Sequence, residues 1–270
     1  MKYRYEEMPW PEVRQAVEHD PVVVLPVGTT EQHGYHLPLM VDYLCADEVA
    51  RAAVERVAPR ALLMHPVPYS FNEHHMDYPG TIAVDGHTVV DYVFCIGRSL
   101  AHHGFRRILL FNGHGSNVPF LDAAARQITN RTAAICALAS WWTLLEPADL
   151  DWRQSRFPGS AHADELETAA LLHLRPDLVD MSKAVDEVDG VQTSEHIYWD
   201  LSGGSVHFQE FFSRNTVSGV QGQPTLATAE KGARVLAAAA DRLAAFLEEF
   251  RAREIRPRRD LHDAEKYPAP

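Results

Sequence analysis

The chain has 270 residues, 46% of them hydrophobic and 23% charged, the balance of a soluble globular protein of one large domain or two small ones. Lys and Arg number 25 against 37 Asp and Glu, and the net charge of −12 argues against a general nucleic-acid-binding face. No apolar run approaches the roughly 18 residues of a membrane span, and the start of the chain lacks the apolar stretch of a signal peptide. The three cysteines, Cys45, Cys95 and Cys136, show no CxxC spacing. They read as reduced thiols filling a core, which with the missing signal predicts a cytoplasmic protein without nucleic-acid or membrane partners.

Taken in order, residues 22–27 predict a buried strand that stops at the turn signal Gly28. Residues 42–57 predict a helix with Leu44, Val49, Ala53 and Val57 along one side, and residues 61–67 a second strand. Residues 85–103 predict a helix with Asp85 near its start and Gly104 as its stop. A third strand over 107–111, a helix over 118–130 and a fourth strand over 133–139 follow. The turn-rich 157–160 stretch ends an irregular segment, and 163–174 predicts an apolar, buried helix. Residues 186–222 lack periodicity and read as long loops with short strands that line a site. Residues 226–253 predict a long Ala/Leu-rich helix, suited to subunit packing, and residues 256–270 a polar arm. The βαβα order predicts an α/β fold, a single domain over 1–255 with a doubly wound, mostly parallel sheet between two helical layers.

Candidate chemistry gathers where strands end. Glu31 and His33 stand two apart after the first strand, so an extended backbone points both to one side. Carboxylate and imidazole donors together suit zinc, manganese or iron(II). Asp42 stands at the start of the next helix, as an N-cap or as a carboxylate shared by two ions. His114 lies between Gly113 and Gly115 after the third strand, in a sharp turn, an anion-cradling nest or a metal site. Glu165 and Glu167 open the helix after His162 but lie about 200° apart on it at ~3.6 residues per turn. One of them therefore serves solvent or the helix terminus, and periodicity does not say which. His74, His75, Trp141, Trp142 and His207 stand near predicted strand ends or in irregular segments, with His75, Trp141 and His207 the candidates for substrate contact. GxSxG and GxGxxG are both absent, which disfavours a serine triad and a dinucleotide site.

Residues 26–34 (PVGTTEQHG), His36 to Leu39, Asp42, residues 112–117 (NGHGSN) and residues 162–168 (HADELET) resemble the successive motifs of the creatininase family. Tyr78 to Ile82 resembles its central PGT segment, and residues 218–224 its late glycine-rich loop. The similarity runs from about residue 8 to residue 250. It implies a three-layer α/β/α domain, two divalent metal ions per subunit (zinc, manganese or iron) and a homo-oligomer, commonly a hexamer. Carried over, Glu31 and His33 bind separate ions, Asp42 bridges them and His114 completes the first ion. Creatininase takes its next glutamate ligand two residues past that histidine, where this chain has Ser116. Glu167, with Glu165 second, is the candidate replacement, and the departure argues against creatinine itself as the substrate. The resemblance implies hydrolysis in which water activated at the ions attacks the carbonyl of a small, cyclic amide, with His162 as proton shuttle. The alternatives are C–C ring opening of an oxidised inositol and a non-catalytic metal-binding assembly protein.

Overall fold

The central strands are apolar on both sides, and that dictates the layers. β1 (Val22–Val27) is buried along its whole length, with Val22 and Val24 in one core and Val23, Leu25 and Val27 in the other. β3 (Arg107–Asn112) divides in the same way, Leu109 and Phe111 on the first face and Ile108 and Leu110 on the second. A sheet without a solvent face needs helices on both sides. The computed structural model, which describes residues 2–156, 160–189, 194–197 and 205–262, supplies them.

All strands are parallel, in the order β2 (Ala61–Leu63), β1, β3, β4 (Ile135–Ser140). α2 (Val41–Val57), α5 (Glu165–Leu174) and α6 (Ala229–Ala252) pack on the first face. α3 (Gly86–His102) and α4 (Val118–Arg131) cover the second, where α1 (Trp10–Glu18) adds Ala16. The expected α/β architecture is therefore present, with helix boundaries within a few residues of those predicted. Asp85 caps α3, its carboxylate accepting from the N–H groups of His87 and Thr88 at 2.9 and 3.2 Å.

Several local expectations change. β2 ends at Leu63: Met64 N–H still donates to the Val24 carbonyl at 2.9 Å, but Pro26 and Pro66 have no N–H for the next rungs, and the pairing resumes at Val67, which donates to the Pro26 carbonyl at 2.9 Å. α1 has no counterpart among the predicted elements. Cys45 is buried, but Cys95 is exposed on α3 and fills no core. The apolar stripe of α6 is used within the chain, Val235, Ala239, Leu243 and Phe250 all lying in the first core. Among the described residues, 186–222 shows isolated bridges and one short helical turn at Phe212–Arg214, and no strand. The 157–159 turn, parts of 186–222 and the last residues of the tail lie outside the described residues.

β1 has β2 on one side and β3 on the other, and the chain leaves β1 toward one face and returns to β3 over the other. The carboxyl ends of β1 and β3 thus form a topological switch point, where open α/β sheets bind ligands. α2 begins against those ends. A Cβ on Gly113 would lie 2.1 Å from the backbone oxygen of Asp42, so only glycine lets β3 end this close to the first turn of α2. Gly113→Ala is expected to push α2 outward and cost about 1–3 kcal/mol in urea unfolding, the usual range for overpacking. Wild-type stability in that variant would contradict the close approach.

Candidate metal centre

Four elements bring their ends to the switch point. The loop after β1 folds back on itself through Glu31 N–H to Leu39 O at 3.0 Å, and both Glu31 and His33 are fully buried. Asp42 lies in the first turn of α2, but Met40 occupies the cap position and α2 has no side-chain cap bond. The N-cap reading of Asp42 is thereby removed. After β3, the Asn112 side chain clamps His114, accepting from its N–H at 3.1 Å and donating to its carbonyl at 2.7 Å. α5 is capped by Asp164, which accepts from the N–H groups of Leu166 and Glu167 and leaves the Glu167 carboxylate free to turn inward.

The two oxygens of Asp42 face different imidazoles. Oδ1 lies 3.1 Å from His33 Nε2 and Oδ2 lies 3.3 Å from His114 Nδ1. Glu31 Oε2 is 2.9 Å from the same His114 nitrogen, and Glu167 Oε2 is 3.6 Å from His33 Nε2. His33 Nδ1 donates to the Glu31 carbonyl at 3.1 Å, which fixes its tautomer and turns Nε2 to the carboxylates. His162 packs on His33, ring centroids 4.2 Å apart, with Nδ1 3.4 Å from Glu31 Oε1.

The electrostatics follow from burial against charge. Burial disfavours the His114 imidazolium, but Glu31 and Asp42 outweigh it and hold its pKa up at about 10. His33 is likewise raised well above its ordinary value, burial being overcome by Asp42 and Glu167. Burial would raise Asp42, yet His33 and His114 hold it well below the usual carboxylate range. Burial pushes Glu167 up to about 7 and also raises Glu31. His75 and His162 are pushed well below the ordinary histidine value, by burial first and then by neighbouring imidazoles. In this network, His33 and His114 lie between the buried carboxylates, and their raised proton affinity offsets the repulsion among those carboxylates.

The donor set fits divalent cations better than protons. Both Glu31 oxygens, His33 Nε2 and Asp42 Oδ2 are buried without a directed hydrogen bond, an arrangement that is costly for carboxylates unless a cation supplies the partner. Among the described residues, ligand atoms of Glu31, Asp42 and His114, of His33, His162 and Glu167, and of Glu31, His75 and His162 each lie within 4.8 Å of one another. Mixed carboxylate and imidazole donors match zinc, manganese or iron(II).

Glu31, His33, Asp42, His114, His162 and Glu167 are thus gathered in one cluster. Glu165 is not among them. It is fully buried, its Oε1 2.5 Å from Lys231 Nζ and its Oε2 accepting from the N–H groups of Gln154 and Ser155 at 3.0 and 2.9 Å. Neither glutamate of α5 turns to solvent, and Glu167 also accepts from Ala163 N–H at 2.6 Å. His75 stands at the cluster, Nε2 3.0 Å from Glu31 Oε1. Trp141 and Trp142 are packed in the hydrophobic core on the α2 and α6 face, and His207 is exposed. Sequence reasoning missed Phe212, whose ring stacks on His75 at 4.1 Å and meets His162 edge-on at 4.8 Å. It also missed Gln32, whose only signal is its place between two candidate ligands. Ser116 donates to or accepts from His74 Nε2 at 2.9 Å.

Three relatives of known activity set the class. A creatinine amidohydrolase from Pseudomonas putida is 34% identical over 199 residues, 67% of this chain and 75% of that protein. A mycofactocin precursor peptide peptidase from Mycolicibacterium smegmatis is 35% identical over 232 residues, 83% of each chain. A 3-dehydro-scyllo-inosose hydrolase from Thermotoga maritima is 27% identical over 252 residues, 84% of this chain and 76% of that protein. With this fold and centre, the protein is a hydrolase. The creatininase model, described as creatinine amidohydrolase, matches residues 6–247. The chain belongs to the creatininase family. Solved structures of a manganese creatininase and of a Zn-Zn type mutant creatininase each superpose with a TM-score of 0.78 at 30% identity, over 93% of this chain and 99% of theirs.

Two predictions follow from the charges. Because the raised His114 binds its proton more tightly when folded, its contribution is full below about 6.5 and fades as pH rises through about 10. Glu167 acts with the same sign between 4.5 and about 7, while the lowered His36 and His74 act oppositely only below 6.5. Metal-free protein should therefore lose thermal stability from pH 7 to 10, less steeply in His114→Gln; a flat wild-type profile would contradict the network. Separately, Lys231→Met leaves Glu165 buried without its cation and should cost about 3–5 kcal/mol without lowering metal content. Glu167→Gln should do the reverse, lowering metal content with little loss of stability, as read by unfolding and elemental analysis.

Proposed function

We propose that the protein is a binuclear metal-dependent hydrolase that cleaves the amide C–N bond of a small, cyclic substrate. One observation carries the reading: Asp42 is buried, caps nothing, and offers one oxygen to the side of His33 and the other to the side of His114. On this reading Glu31, Asp42 and His114 hold one ion, and His33, Asp42 and Glu167 the other. Divalent ions held there would supply water acidified toward a pKa of about 7 and the polarisation of a carbonyl. The chain's own residues do the rest. His162 donates from Nε2 to the Gln32 carbonyl at 2.7 Å, so its Nδ1 faces the centre and can take a proton there and return it to a leaving nitrogen. The Phe212 ring against His75 and His162 shields that side from water. The clamp on Glu165 keeps the other α5 carboxylate out of the centre.

The peptidase and amidohydrolase relatives support a C–N bond as the target. The inosose hydrolase relative supports a second reading, hydrolytic C–C ring opening at the same centre. Ser116, paired with His74, cannot supply a carboxylate, which speaks against creatinine as the specific substrate. Incubation of the metal-loaded protein with cyclic amides, formamides, short peptides and oxidised inositols separates the readings. A new amine or guanidine N–H together with a carboxylate is expected; turnover of an inosose alone would replace the amide reading with C–C cleavage. Asp42→Ala should lose both ions and all turnover. A full metal complement in that variant, measured by elemental analysis, would remove Asp42 as the bridge.

A further inference from the structure

Gln32 is 6% exposed and has no part in holding an ion in the reading above. Its carboxamide is oriented by backbone groups alone. Oε1 accepts from Gly34 N–H at 2.9 Å, and Nε2 donates to the Gly219 carbonyl at 3.1 Å. A flipped amide would set oxygen against carbonyl and NH2 against N–H, so this orientation is the one the network permits. Nε2 then has one hydrogen left, and two imidazole nitrogens lie 3.1 Å from it, His75 Nδ1 and His162 Nε2. The second is already committed. It sits 2.7 Å from the backbone oxygen of Gln32, which only accepts, so His162 Nε2 carries a hydrogen and cannot receive another. The free amide hydrogen therefore goes to His75 Nδ1. An imidazole that accepts at Nδ1 carries its proton at Nε2, and His75 Nε2 is 3.0 Å from Glu31 Oε1.

We propose that Gln32 is a positioning residue that sets the tautomers of two histidines: its carboxamide keeps the His75 proton on Nε2, the nitrogen on the Glu31 side, and its backbone carbonyl keeps Nδ1 of His162 turned to the centre. His75 is thereby withheld as a ligand. Glu31, His75 and His162 have the spacing of a third cation site, but a nitrogen that carries hydrogen offers no lone pair to a cation. His75 instead places its Nε2–H 3.0 Å from Glu31 Oε1, a position beside the ligands rather than among them. The role assigned to His162 rests on the hydrolytic reading; the tautomers do not.

The glycine-rich loop takes part in this control. Gly219 has φ +83°, and a Cβ there would lie 1.9 Å from Gln32 Oε1, so glycine is what lets the loop carbonyl reach the amide. Glu187 pins the loop ahead of it, its carboxylate accepting from Thr216 Oγ1 at 2.6 Å and from the N–H groups of Val217 and Ser218 at 2.8 and 3.0 Å.

The test is a set of imidazole 15N–1H correlation spectra of 15N-labelled protein, metal-free and zinc-loaded, for wild type and Gln32→Glu. A carboxylate at position 32 can still accept from Gly34 but has no hydrogen for His75. In wild type, both His75 and His162 should show the Nε2–H pattern. In Gln32→Glu, Nδ1 of His75 should gain a proton while His162 stays unchanged. A wild-type His75 protonated at Nδ1, or a His75 pattern unmoved in the variant, would overturn the proposal. Should Gln32→Glu fail to fold, the wild-type spectrum alone decides between the tautomers. The spectra are read without turnover, so an absence of hydrolysis bears on the proposed function and not on Gln32.

Discussion

The structure depends on one buried carboxylate. Asp42 is 2% exposed and lies between two imidazoles that come from different segments of the chain. Burying a charge of this kind costs several kcal/mol unless it is paired. The pairing fixes three elements at once: the loop after β1, the first turn of α2 and the turn after β3. It works only because the parallel sheet brings the carboxyl ends of β1 and β3 side by side, with Asn112 next to Val27 in the register, and because Gly113 admits the start of α2. Fold and site are therefore the same constraint seen at two scales. The doubly wound sheet creates the crevice, and the charge requirement of Asp42 decides which side chains fill it.

α5 shows how one helix serves both purposes. Glu165 and Glu167 are separated by two positions and face apart. The first is neutralised by Lys231 and holds the backbone near Gln154 and Ser155. The second reaches His33 and, through Ala163 N–H, ties the helix start to the centre. A chain with one of these carboxylates reversed would place two uncompensated charges in the interior. Behind the candidate ligands, Asn112 clamps the His114 backbone, while Gln32 and the Glu31 carbonyl hydrogen-bond imidazoles directly, all from groups that cannot themselves move far. This is the precision a hydrolytic centre needs, since misplacement by an ångström is costly.

Much of the layering was legible in the sequence. The strands β1 and β3 are uninterrupted apolar runs, and such runs with intervening helices admit few arrangements. Glu31, His33, Asp42 and His114 were legible because each lies within a few residues of the end of β1 or β3 or the start of α2, where parallel sheets collect their functional groups. What was not legible depends on distant packing. Pro26 and Pro66 shorten β2 by a local rule that the apolar pattern masked. The split between Glu165 and Glu167 is decided by Lys231, 66 residues further along the chain. Trp141 looked like a pocket residue because it follows a strand, but the strand is the sheet edge and its ring is taken by the core. Gln32 and Phe212 act through partners far away in sequence, Gly219 and His75 among them, and no spacing in one chain announces such pairs.

The central claim is that Asp42 is shared by two divalent cations, one toward His114 and Glu31 and one toward His33 and Glu167. Anomalous diffraction from zinc-soaked crystals, collected at the metal's absorption edge, tests it most directly. The account predicts two peaks, one on each side of the Asp42 carboxylate, each within coordination distance of one of its oxygens. A single peak, or peaks that leave Asp42 outside coordination distance, would contradict it.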